Sequence, residues 1–113
     1  MEVWDTVKKY GKRDGNHDHI KHSLKKIGCS VADTADMGDG FPDLVVGCRG
    51  INYLFEVKDP AASNQRRKLT PDQRVFFEGW RGQVHKIETV TDAMDVMGIT
   101  TGANNQGDLW QQK

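Results

Sequence analysis

Asp43, Glu56 and Lys58 are three side chains whose types and spacing suit catalysis by one site. They lie in the stretch 43–58, where two alternating apolar runs flank Arg49-Gly50, a pattern that predicts a β-hairpin with a two-residue loop. Such a loop fixes the register and puts Asp43 directly opposite Glu56, with Cβ atoms roughly 4.5–5.5 Å apart. Lys58 follows Glu56 by two positions and therefore shares its face of the sheet.

Facing carboxylates repel each other and weaken a hairpin unless a cation lies between them. Hard cations such as Mg²⁺ and Mn²⁺ prefer oxygen ligands, and Mg²⁺ commonly takes one or two carboxylates and keeps several waters. A metal of this kind can activate water and polarise a phosphodiester, while Lys58 orients the water or stabilises negative charge. The alternative is a solvated strand face with an ordinary Lys–Glu surface pair.

The motifs around these residues resemble the PD-(D/E)xK nuclease signature and, within it, the small phage-type VRR-NUC nucleases (virus-type replication-repair nucleases). Pro42-Asp43 followed by Glu56-Val57-Lys58 carries the general signature. The more specific resemblance rests on the glycine-rich stretch 38–47, on Arg49-Gly50, and on Leu69-Thr70-Pro71-Asp72-Gln73. It covers about residues 14 to 98.

The resemblance implies an α/β fold, a restriction-endonuclease-like core with a mixed sheet of about four strands flanked by helices. It also implies metal-dependent cleavage of DNA with Mg²⁺ or Mn²⁺, often of branched DNA such as four-way junctions. For a small single-domain chain, the resemblance also implies a homodimer. By the same resemblance, Asp43, Glu56 and the Val57 carbonyl are metal ligands, and Lys58 acts on the attacking water.

Gln73 has two explanations. In the resembled family, the glutamine of the Leu-Thr-Pro-x-Gln motif lies near the metal site, which makes Gln73 a candidate catalytic residue. The local sequence also predicts a capping box, with Thr70 as N-cap, Pro71 at the first helical position and Gln73 at the third. The two explanations are compatible, because the side chain of a capping box lies at the start of its helix.

The first helix is predicted over 17–27, and it raises a question about a further metal ligand. The resembled family places a metal-site glutamate in this helix just before an Ile or Val, where this chain has His19 before Ile20. Asp18 is the nearest acid, one position or about 100° around the helix. Either His19 is a ligand or base, or Asp18 reaches in, or the site has only two carboxylates. An imidazole ligand would favour Mn²⁺ over Mg²⁺.

Candidate DNA contacts come from a local basic cluster. The chain of 113 residues has a formal net charge of zero, which argues against bulk attraction to DNA but leaves room for a patch. Arg66, Arg67 and Lys68 form such a cluster, and Arg49 belongs to the Arg-Gly part of the resemblance. The alternative is an ordinary solvated surface.

Periodicity and turn residues predict the remaining elements. They are a strand over 29–34, a glycine-rich loop over 35–42, a polar loop over 60–68, a helix from Thr70 to Gly82, a strand over 83–89 and a short helix opened by Thr91 or Asp92. We expect one domain over 16–98, preceded by an arm or short helix over 1–15 and followed by a poorly ordered tail over 99–113.

Cys29 and Cys48 lie beside apolar sequence and are predicted to be small buried residues without a disulfide. The sequence contains no signal-peptide pattern and no apolar stretch long enough to span a membrane. These features predict an intracellular protein without a membrane partner, in the cytoplasm of a bacterial host if it is phage-encoded.

Two other classes of function compete with a metal-dependent endonuclease. A non-catalytic nucleic-acid-binding module would retain the fold, and the departure from the family pattern at His19 is its support. A small partner-binding domain would instead use Trp4, Trp80 and Trp110 against another protein. Metal-dependent nicking of DNA separates these classes.

Overall fold

The computed structural model describes residues 15–100, which form four strands and four helices. In chain order these are α1 (His17–Lys26), β1 (Ser30–Asp33), β2 (Leu44–Cys48), β3 (Ile51–Val57), α2 (Asn64–Arg67), α3 (Pro71–Gly79), β4 (Val84–Ile87) and α4 (Val90–Met97). The sheet order is β1-β2-β3-β4, with antiparallel pairing between the first three strands and parallel pairing of β3 with β4. This mixed four-stranded α/β fold confirms the predicted fold class.

The hairpin between β2 and β3 has the predicted register. Cys48 pairs with Ile51 across the loop, and both loop residues have positive φ angles, 53° for Arg49 and 83° for Gly50. Two successive positive φ angles are typical of the type I′ turn, whose twist matches that of the strands it joins. The register continues to Leu44 opposite Phe55, so Asp43 stands one position before the ladder, across from Glu56.

The hydrophobic core lies on one face of the sheet. Alternate residues of β2 and β3 point to this face, and α1 and α4 cover it with Ile20, Leu24, Ala93 and Met97. Leu44 and Phe55, which face each other in the register, are both fully buried there. The residues that alternate with these core residues along each strand point to the opposite face of the sheet, and Asp43, Glu56 and Lys58 are among them.

Helix boundaries follow capping chemistry, with two corrections to the expected ends. The capping box of Thr70 and Gln73 is present as predicted, but α3 ends at Gly79 and not at Gly82, because Trp80 adopts an extended conformation and stacks on Phe76. α4 begins at Val90 because Thr89 is its N-cap. The predicted openings at Thr91 or Asp92 are therefore wrong, and Asp92 is instead the third residue of the helix, where it completes a capping box with Thr89.

The predicted polar loop over 60–68 contains a short helix. Ser63 caps α2 by accepting from the Arg66 N–H, and the Arg67 guanidinium ties the helix to Glu88. Asn16 occupies the N-cap position of α1, but its side chain does not cap the helix. Its amide donates instead to the carbonyls of Lys58 and Glu88, which joins the start of α1 to the ends of β3 and β4.

The expected arm and tail fall mostly on residues outside the described range, which excludes 1–14 and 101–113 together with Trp4 and Trp110. Ile99 is described, and it packs against the core one residue past the expected domain boundary at 98. Among the helices of residues 15–100, none combines the length and apolarity needed to cross a lipid bilayer.

Candidate active site

Asp43 is fixed by the end of β1 and by β3. The Thr34 hydroxyl donates to the Pro42 carbonyl at 2.7 Å, and the Thr34 N–H donates to the Asp43 carbonyl at 2.8 Å. One oxygen of the Asp43 carboxylate, Oδ2, accepts the N–H of Val57 at 2.8 Å. The backbone before and after the glycine-rich loop therefore holds this carboxyl group against β3.

Glu56 and Lys58 lie next to Asp43 with little access to solvent. Their exposed fractions are 2% and 6%, so the predicted alternative of a solvated Lys–Glu surface pair is wrong. Lys58 Nζ is 3.7 Å from Glu56 Oε2, and the backbone N–H of Lys58 donates to the Ile87 carbonyl at 2.9 Å. A buried pair of this kind is desolvated, which makes it costly unless further hydrogen bonds satisfy it.

Gln73 supplies those further hydrogen bonds. Its side-chain carbonyl accepts from Lys58 Nζ at 2.9 Å and from the Thr70 N–H at 2.9 Å, and its amide donates to Glu56 Oε2 at 2.9 Å. This orientation of the amide is the one that matches a cationic donor and a carboxylate acceptor at once. Both explanations of Gln73 therefore hold geometrically: it closes the capping box and it touches the two charged residues.

The two carboxyl groups are in contact, and their electrostatics suit a cation. Burial raises the pKa of Asp43, against the opposing effects of the Val57 N–H, hydrogen-bond contact with Glu56, and the nearby His17 and Lys58. Fully ionised, two carboxylates and one ammonium leave one uncompensated negative charge in a buried place. A divalent cation that displaces a proton between the carboxyl groups would compensate this charge, so the donor set fits Mg²⁺ or Mn²⁺.

These side chains open onto a cleft of about 550 Å³. Its walls include Asp43, Glu56, Lys58 and Gln73, the glycine-rich loop, and the exposed side chains of Arg66 and Lys68. Asp36, which lies in the predicted glycine-rich loop over 35–42 and was not among the candidate site residues, also lines the cleft. Its position two residues before Gly38 could have identified it as a site residue, since glycine-rich loops often deliver side chains to ligands.

Two of the predicted DNA contacts are engaged elsewhere. Arg67 makes a two-pronged ion pair with Glu88 at 2.9 and 3.0 Å, which anchors α2. Arg49 donates to the Met97 carbonyl at 2.8 Å and so binds the end of α4. Arg49 is also at the far end of β2 from Asp43, about 20 Å away at 3.3 Å per residue. The structure thus brings Arg66 and Lys68 to the cleft but not Arg67 or Arg49.

Helix α1 turns a different histidine inward from the one the resemblance suggested. His19 and its neighbour Asp18 are exposed, whereas His17 is 2% exposed and its Nε2 lies 3.1 Å from Asp33 Oδ2. Spacing explains the difference, because His17 precedes the buried Ile20 by three positions and shares its helical face. The structure does not bring His19 to the cleft.

Three side chains near the start of α1 and the end of β1 form a second group that could ligate a metal ion, and we call this place the His17 corner. Within the described part of the chain, His17, Asp18 and Asp33 are the one set of three whose candidate ligand atoms all lie within 4.8 Å of one another. Asp33 is already engaged, however, because it accepts from Lys21 Nζ at 3.0 Å and from the Ala35 N–H at 3.1 Å. A cation there would have to displace an ammonium group, which makes the Asp43–Glu56 pair the better candidate.

No family model, no curated protein and no solved structure matches this chain, so its site is interpreted from its own geometry and motifs.

Proposed function

We propose that this chain is a metal-dependent DNA endonuclease of the VRR-NUC type within the PD-(D/E)xK group. The observation that carries the proposal is the Gln73 side chain, which links Glu56 and Lys58 beside the Asp43 carboxyl group. A solvated strand face needs no such link. The four residues named by the motif also line one cleft, as the motif requires of residues that share a reaction.

In this proposal Asp43, Glu56 and the Val57 carbonyl hold Mg²⁺ or Mn²⁺. When bound, the ion would lower the pKa of a water molecule and polarise the phosphodiester. The Lys58 ammonium is directed by Gln73 and donates to the attacking water or to the oxygen that gains negative charge. Its burial strengthens that interaction, because competing water is largely excluded.

DNA is the proposed substrate because cationic side chains stand at the rim of the acidic cleft. Arg66 and Lys68 are exposed and line the cleft, where they would contact phosphates on either side of the cleaved bond. Preference for branched DNA and assembly as a homodimer rest on the sequence resemblance alone. The proposal includes both, because a dimer would present two sites to two strands of a junction.

The test is cleavage of a panel of labelled DNAs of one sequence: a four-way junction, a three-way junction, linear duplex and single strand. Each is incubated with Mg²⁺, with Mn²⁺ or with EDTA. We expect wild-type protein to cut the junction with metal and not with EDTA. Asp43→Asn and Glu56→Gln proteins should not cut it, although their circular dichroism spectra should match that of wild type. Binding without cleavage under every metal condition would favour the non-catalytic module. Neither binding nor cleavage would favour the partner-binding domain.

A further inference from the structure

Two cysteines face each other at the end of the β1–β2 pair that lies away from the acids. Ser30 pairs with Gly47 in the antiparallel register, so the next step of the register puts Cys29 opposite Cys48. Facing residues in antiparallel strands have Cα atoms about 4.5–5.5 Å apart. This separation lies within the range of about 4.4–6.8 Å that a disulfide bridges without movement of the backbone.

The two side chains also approach each other. Both cysteines are free thiols, and the Cys29 thiol is in hydrogen-bond contact with that of Cys48. Cys29 is 7% exposed, and its N–H donates to the Leu24 carbonyl at 3.0 Å, which fixes its backbone to the end of α1. Cys48 is half-buried and packs against the core, so it is the thiol that a small molecule in solvent reaches first.

We propose that Cys29 and Cys48 form a redox-modification site that closes to an intramolecular disulfide by exchange with a low-molecular-weight disulfide. In the first step the Cys48 thiolate attacks one sulfur of the small disulfide, forms a mixed disulfide and expels one thiolate. In the second step Cys29 loses its proton, its sulfur attacks Cys48 Sγ, and the second thiolate leaves. Two protein thiols are thereby oxidised by two electrons, and the small disulfide is reduced to two thiols that take up the protons.

The order of these steps follows from exposure and is reinforced by thiol acidity. Burial, together with the hydrogen bond to Cys48, raises the pKa of Cys29 to about 11. Only a small fraction of Cys29 is therefore thiolate at neutral pH, and the closing step should become faster as the pH rises. Reversible disulfides inside reducing compartments are characteristically transient and redox-sensing, which fits a pair that is free in the structure.

The link would join β1 to β2 without touching the acidic cleft. It would close the loop of chain that contains the glycine-rich segment and Asp43, and cross-links of this kind stabilise by limiting the unfolded chain. Asp43 is about 16 Å from Cys48 along the extended strand, so the bond leaves the carboxyl pair in place. The inference is independent of the proposed function, because it requires neither metal nor DNA.

The test treats the full chain with oxidised glutathione across a range of pH and follows intact mass and a non-reduced peptide map. Wild-type protein is expected to lose two hydrogens, to yield a Cys29–Cys48 peptide, and to melt several degrees higher than the reduced form. Cys29→Ser should stop at one glutathione adduct on Cys48. Cys48→Ser should leave Cys29 unmodified over the same period.

Several outcomes would overturn the inference. Wild-type protein that carries glutathione on both cysteines, or that links two chains, would show that the thiols do not close on each other. Modification of Cys29 in the Cys48→Ser protein at the wild-type rate would contradict the order of attack. The wild-type measurement decides the main point even if a serine variant fails to fold.

Discussion

Gln73 is the residue where local folding and proposed chemistry meet. Its three hydrogen bonds reach Glu56, Lys58 and the N–H of Thr70, so one side chain starts α3 and orients two charged groups. Removing it should affect both stability and activity. Removing its capping partner should affect stability alone.

We therefore predict that Gln73→Ala lowers the free energy of unfolding by about 1–2 kcal/mol, through the lost cap and the lost buried hydrogen bonds. It should also reduce metal-dependent cleavage at least tenfold. Thr70→Ala is the matched control, because it removes the hydroxyl that accepts from the Gln73 N–H and leaves the Gln73 amide in place. Urea unfolding and cleavage rates measure the two effects. Equal loss of activity in both variants would mean that Gln73 acts only through the helix.

Asp33 gives a prediction about pH. Burial of Asp33 raises its pKa, but hydrogen bonds from Lys21, the Ala35 N–H and His17 outweigh burial and hold the pKa of this carboxyl well below its ordinary value of 3.8. A lowered pKa contributes stability that is present above the ordinary value and is lost as the pH falls through the native value. Asp33→Asn should therefore lower the free energy of unfolding by about 1–2 kcal/mol near pH 7 and by less below pH 3.8. The effect is modest because solvent screens this partly exposed carboxylate.

Chemical unfolding of Asp33→Asn and wild type from pH 7 to below about pH 2 checks this expectation, because the contribution of the Asp33 carboxylate is lost between its ordinary pKa and its lower native pKa. Asp18→Asn is the control, since Asp18 is exposed at the same corner. A constant difference between Asp33→Asn and wild type over the whole range would show that the carboxylate charge of Asp33 contributes nothing.

At this scale the sequence predicted the central residues and missed their neighbours. The relative positions of Asp43, Glu56 and Lys58 could be predicted from the sequence. The tight turn fixes the register and the strand period fixes the face, so no tertiary information is needed. Motif alignment made His19 one of the candidate metal ligands, although helical spacing from Ile20 favours His17 as the histidine that points inward. Arg67 looked like a free cation because its partner Glu88 is 21 positions away in sequence.

Among the elements, the glycine-rich loop delivers Asp43 and packs on the start of α3. Gly38 and Gly40 both have positive φ angles, 81° and 79°. A Cβ atom at Gly40 would also collide with the backbone carbonyl of Asp72, whereas one at Gly38 would meet nothing within 4 Å. Substitution of Gly38 therefore tests backbone strain alone, whereas substitution of Gly40 tests backbone strain together with close packing.

We predict that Gly38→Ala costs about 1–2 kcal/mol for its left-handed conformation alone. Gly40→Ala should cost about 2–5 kcal/mol, because displacement of α3 is added to the same strain. Gly40→Ala should also reduce cleavage, since the displaced helix carries Gln73. Thermal melts of both proteins measure the difference. Equal costs would mean that the loop does not need its close approach to Asp72.

Elements whose ends depend on local chemistry were predictable, and elements that depend on distant contacts were not. The hairpin and the start of α3 follow from Arg49-Gly50 and from Thr70 with Gln73. The short helix α2 was missed, because contacts from distant parts of the chain hold it. The Glu88 carboxylate pairs with Arg67, and Lys86 of β4 donates to the Arg67 carbonyl. The end of α3 was misplaced because stacking of Trp80 on Phe76 decides it.

At the scale of the whole molecule, the distribution of cations predicts how the protein binds DNA. Arg66→Ala combined with Lys68→Ala should weaken binding and flatten its salt dependence by about 0.9 in log–log slope for each lost phosphate contact on duplex DNA. Arg67→Ala should instead lower stability and leave the slope near the wild-type value. Fluorescence anisotropy over a salt series measures the slopes. A salt slope that is flattened by Arg67→Ala alone would show that Arg67 contacts DNA.

We propose that the divalent cation binds in the cleft beside Asp43 and Glu56, and not beside His17 and Asp33. The most direct measurement is the rise in melting temperature with added Mn²⁺ or Mg²⁺ for wild type, Asp43→Asn and Asp33→Asn. An ion that binds only the native state stabilises it by about 2.7 kcal/mol at a hundredfold excess over Kd. We predict a rise in wild type and Asp33→Asn and almost none in Asp43→Asn. A rise that persists in Asp43→Asn and disappears in Asp33→Asn would contradict this proposal and place the ion beside His17 and Asp33.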